Sequence, residues 1–136
     1  MNSSKVPDTR FIRPLENTMG YLRSALSCLH DRRPDYRLVA DLFGHLRELY
    51  GDEFPPFEPA AGQPPAISMG ISQESCALVL DQEIRTLDSV RRQLFESDSV
   101  TGPPTARLAL RHAQATVSRL LLTPPFSELS PAEKGP

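Results

Sequence analysis

Asp41, His45 and Glu48 stand four and three residues apart, a spacing that sets three metal-capable side chains on one face of a helix. That face is polar and carries Arg37 beside the three. A complete metal site needs further ligands from another helix, and no paired Glu-x-x-His run supplies them, so these residues read as solvated surface. A second chemistry open to a helical histidine is nucleophilic acceptance of a phosphoryl group. His45 and His112 both fall in helical stretches. Gly44 and Arg47 flank the first, and Arg111 and Ala115 the second, giving each the basic neighbour and small residue that an approaching donor needs.

Other chemistries find little to work with. No glycine-rich elbow surrounds a serine, no cysteine has a neighbouring histidine, and neither GxxxxGK[ST] nor GxGxxG occurs. Cys28 and Cys76 lie on different predicted helices without a CxxC partner. No cofactor or metal is therefore expected, and the reading by elimination is non-enzymatic. The opening MNSSKVPDTR lacks the apolar core of a secretory leader, and no run reaches membrane-spanning length. Those features suggest free thiols, a reducing cytoplasmic setting and no membrane partner.

The elements that would position these residues follow from periodicity. The chain has 136 residues, 39% hydrophobic and 24% charged, the profile of one ordinary domain with its own core. Residues 1–11 are polar and read as a flexible arm. A first helix should start near Pro14, with Ile12, Leu15, Met19, Leu22, Leu26 and Leu29 along one seam. A second runs from about Pro34 to Tyr50. Val39, Leu42, Leu46 and Leu49 form its seam, Tyr36, Phe43 and Tyr50 flank it, and Gly51 serves as a left-handed cap. A third begins at Ser72 or Ser75 and continues to about Ser97 through Leu80, Ile84, Leu87, Val90 and Leu94. Glu83 and Arg91 fall inside its apolar arc, where a charge is costly unless it is paired or reaches solvent. A fourth runs from about Pro104 to Leu122 with Ala106, Leu110, Ala113, Val117 and Leu120 inward.

Residues 51–71 hold five prolines and form a long, partly extended crossover. Its Phe54 and Phe57 bracket Pro55-Pro56 and are candidates to pack on the bundle or on a partner, as a peptide-like arm outside the core. The tail 123–136 is polar and read as flexible. The expected fold is all-α: an antiparallel four-helix bundle over residues 12–122, built as two hairpins joined by the proline-rich crossover.

Opposite its core seam, the fourth helix carries a second stripe, Leu108, Ala115 and Leu122, with Arg111 and Arg119 on either side. A helix apolar on two faces is either central or covered by a partner. This stripe makes the leading expectation a protein–protein interaction module: an adaptor, chaperone-like or assembly subunit working as a homodimer or hetero-complex. Histidine phosphotransfer through His45 or His112 is the alternative. A bundle holding a small apolar ligand is a second alternative. Residues 85–119 carry six Arg against three acids, suited to an acidic partner, while the overall charge of −2 argues against nucleic acid.

Overall fold

Helix starts in this chain are set by side chains that satisfy the first backbone N–H groups. Asp35 accepts from the Leu38 amide at 3.1 Å, and the Ser72 hydroxyl accepts from the Ser75 amide at 3.0 Å. The computed structural model describes residues 9–56, 70–96 and 102–128. It contains α1 (Thr9–Leu29), α2 (Tyr36–Tyr50), α3 (Gln73–Glu96), α4 (Gly102–Leu121) and a 3-10 turn (Phe126–Glu128). Among the described residues there is no strand.

The seams hold with three shifts. First, α1 begins at Thr9, upstream of Pro14. Phe11 is buried, and its contribution to the core offsets the backbone hydrogen bond that Pro14 cannot donate to Arg10. Second, the buried line of α2 is Val39, Phe43, Leu46 and Tyr50, while Leu49 is half exposed. The aromatic rings have more apolar area to bury than leucine and turn the helix toward themselves. Third, Phe126 lies in the stretch read as a flexible tail, yet it is buried with its ring 5.5 Å from Tyr36 and 5.6 Å from Phe43.

Gly51 also acts differently from expectation. It is right-handed, at φ −63° and ψ −32°, and its N–H donates to the Arg47 carbonyl at 2.7 Å. A Cβ there would collide with that same carbonyl, so close approach is what requires glycine.

Helix α1 packs against the other three helices, and α4 packs against α1, α2 and α3; among the described residues α2 and α3 do not meet. The bundle is thus a rhombus with α1 and α4 across its short diagonal. Ala106, Ala109 and Ala113 of α4 are buried, and such small side chains permit close helix approach. Gln73, at the start of α3, donates to the Leu29 carbonyl at the end of α1, whereas Arg91 late in α3 reaches Glu16 early in α1 at 3.3 Å. These two links belong to helices running in opposite senses. Asn17 likewise donates to the hydroxyl of Tyr50, the last residue of α2, at 2.8 Å.

Candidate functional site

The outer side of α4 follows directly from its inner one. Leu110, Ala113, Val117 and Leu120 are buried, so residues about half a turn away face outward. Leu108 is 54% exposed and Leu122 is 69% exposed, with Ala115 partly buried between them. The structure therefore brings the expected stripe together on the surface. Arg119 lies beside it, and among the described residues its guanidinium makes no hydrogen bond or ion pair.

Two other expected interaction residues have different places. Arg111 is engaged within the chain, its Nε donating to the Pro55 carbonyl at 2.8 Å, which ties the exit of α2 to α4. Phe54 is a core residue, 1% exposed, between Phe11 at 6.1 Å and Tyr50 at 6.0 Å. The Arg107 guanidinium stands 5.8 Å from the Phe54 ring centre. Phe54 is thus a peg into the bundle, and the start of the crossover is no free arm. Phe57 lies outside the described residues. The arginines of α3 are likewise engaged locally: Arg85 pairs with Asp81 at 2.8 Å, and Arg92 with Asp88 at 2.8 Å. Arg91 bridges Asp88 and Glu16, each at 3.3 Å. The Arg92 guanidinium, donating to Asp88, holds that carboxyl below its usual range, with Arg91 adding to the effect.

The two flanks of α4 hold its polar anchors. Toward α2, buried Gln114 donates to the Leu46 carbonyl at 3.1 Å. Toward α3, Glu83 is 6% exposed, and its Oε2 accepts from the Thr116 hydroxyl at 2.9 Å and lies 2.8 Å from His112 Nδ1. Glu83 Oε1 is buried and has no hydrogen-bond partner among the described residues. The charge that the sequence places in an apolar arc is therefore met by two polar groups one turn apart on the neighbouring helix. Glu83 is the one functional candidate that periodicity alone did not select. The signal was present as a charge inside the α3 seam; its partner, 29 residues on, was not visible.

His45 is exposed on α2 with Asp41 and Glu48, and no hydrogen bond or ion pair of its side chain occurs among the described residues. No group of three metal-capable side chains is assembled among those residues. Two surface depressions stand out among the described residues. One is lined by Glu16, Met19, Arg23 and Arg91, the other chiefly by Arg10, Arg13, Glu16 and Glu53 with Ile12, Pro14 and Tyr50. Both are open and mostly charged, unlike the closed apolar cavity that a core ligand would require. No helix among the described residues is long and apolar enough to cross a membrane. Comparison of the chain with protein-family models, with curated proteins and with solved structures finds no match.

Proposed function

We propose that this chain is a protein-binding module whose docking face is the outer side of α4. The observation that carries the reading is the pair Leu108, on α4, and Leu122, in the turn just past its last residue, both more than half exposed. Ala115 between them keeps the middle of the stripe shallow, so the backbone of another helix can come close. The core does not need this face, because α4 already buries its opposite side against α1, α2 and α3. Covering the two leucines supplies on the order of 3–5 kcal/mol before association costs, so a stable complex must also use neighbouring surface. Arg119 beside the stripe offers a bidentate contact to a partner carboxylate. An adaptor or assembly role, in a homodimer or a hetero-complex, fits this face. A cytoplasmic setting belongs to the same proposal; Cys28 and Cys76 are both free thiols, as a reducing compartment would keep them.

The test is the double substitution Leu108→Glu and Leu122→Glu, read by circular dichroism, light scattering and co-purification from cells. Since both side chains are exposed, helical content should be unchanged. Self-association or partner recovery should fall by at least tenfold, the effect of about 1.4 kcal/mol. A variant that keeps the same mass and the same partners as the wild type overturns the reading.

A further inference from the structure

A carboxylate buried in a helix seam is costly unless something fixes it there. Glu83 is held by Thr116 Oγ1 at 2.9 Å and stands 2.8 Å from His112 Nδ1. A carboxylate oxygen only accepts, so Nδ1 of the neutral imidazole carries the proton and Nε2 keeps its lone pair. The His112 side chain is 63% exposed, whereas that of Glu83 is 7% exposed. The result is a nucleophilic nitrogen presented outward on a ring whose tautomer is set from the core. His45, the other helical histidine considered for this chemistry, lacks any such partner among the described residues.

We propose that His112 is a phosphoryl acceptor, taking the group on Nε2 from a phosphoramidate-class donor, with Glu83 as its positioning residue. In the step, the Nε2 lone pair attacks phosphorus and the N–P bond forms. The donor's P–N bond breaks, and its amine, already protonated at nitrogen, leaves neutral with the bonding pair. The Nδ1 proton stays in place, and the charge that develops on the ring is offset by the Glu83 carboxylate behind it.

The surroundings favour a donor carried by a macromolecule. Neither of the two depressions described above includes His112. The chain does offer exposed Leu108 one turn before His112 and Ala115 one turn after it, and exposed Arg119 two turns on along the same side. A donor protein seated on the α4 stripe would reach Nε2. That docking rests on the reading above, but the reactivity of His112 does not.

The experiment treats the full chain with limiting phosphoramidate at neutral pH and follows acid-labile phosphate on His30, His45 and His112 by mass spectrometry. All three histidines are exposed, so accessibility alone predicts similar rates. His112 should react about tenfold faster, the low end of the range by which an outer carboxylate changes the behaviour of a metal-bound imidazole. Nitrogen-15 NMR should show His112 as the Nδ1–H tautomer. Glu83→Gln should bring the His112 rate down to that of the other two and release the tautomer. Equal rates in the wild type, or a His112 rate untouched by a folded Glu83→Gln, overturns the proposal. If Glu83→Gln unfolds, the wild-type rates and tautomer still decide. Leu108→Glu with Leu122→Glu should leave this small-donor reaction intact even where it abolishes docking, so the two ideas fail separately.

Discussion

At the scale of single residues, burial separates two chemically identical groups. Cys28 is partly exposed, while Cys76 is in the core, where burial pushes its thiol up to about 11. At pH 8, iodoacetamide should therefore modify Cys28 first and Cys76 at least tenfold more slowly, a difference that peptide mass spectrometry resolves. The same shift has a consequence for stability. The folded value lies above the ordinary 9.0, so the unfolded chain loses its proton first as pH rises. The contribution of Cys76 is complete below pH 9 and is lost between about 9 and 11. Urea unfolding at pH 8 and pH 10.5 should show a larger loss for the wild type than for Cys76→Ala. Equal losses would mean that the thiol ionises freely in the folded protein.

At the scale of elements, the end of α2 depends on one missing side chain. The N–H of Gly51 reaches the Arg47 carbonyl at 2.7 Å, and a Cβ would strike that carbonyl. Phe54 follows within a turn, its N–H donating to the Tyr50 carbonyl at 2.8 Å. Gly51→Ala should accordingly destabilise the protein by about 1–3 kcal/mol, because the contact is with backbone and cannot rotate away. This is opposite in sign to the usual effect of replacing a glycine whose conformation alanine can share. A chemical denaturation midpoint at or above that of the wild type would show that the backbone yields there. The sequence marked Gly51 as the residue that ends α2, and it does. The reason differs, because handedness and close approach both select glycine and only coordinates separate them.

Across the whole molecule, two aromatic clusters pin opposite ends of the bundle. Phe11, Tyr50 and Phe54 form one, and Tyr36, Phe43 and Phe126 the other. Tyr36 and Tyr50 bound α2, about 21 Å apart along its axis. Phe54→Ala and Phe126→Ala should each cost about 3–5 kcal/mol, the range for truncating a buried phenylalanine. At that separation the two costs should add to within about 0.5 kcal/mol in a double mutant, measured by urea denaturation. A neutral Phe126→Ala would mean that this ring contributes nothing to the core.

Periodicity by itself determined the four helices, the inward lines of α3 and α4, and the outward stripe of Leu108, Ala115 and Leu122. Those features depend on neighbours three, four and seven residues apart, which the sequence states directly. The tertiary structure decided what depends on partners distant in the chain. It chose the aromatic side of α2 over Leu49, because Phe126 arrives from beyond α4 to cover Phe43. It set Phe54 in the core against Phe11 and tied Arg111 to the Pro55 carbonyl. It set Glu83 behind His112 and not near His45, because α3 lies beside α4 and does not touch α2. Each helix has a legible apolar face, but a face does not name the helix that will cover it, and the contacts of a buried charge or a stray ring are settled only when the helices pack.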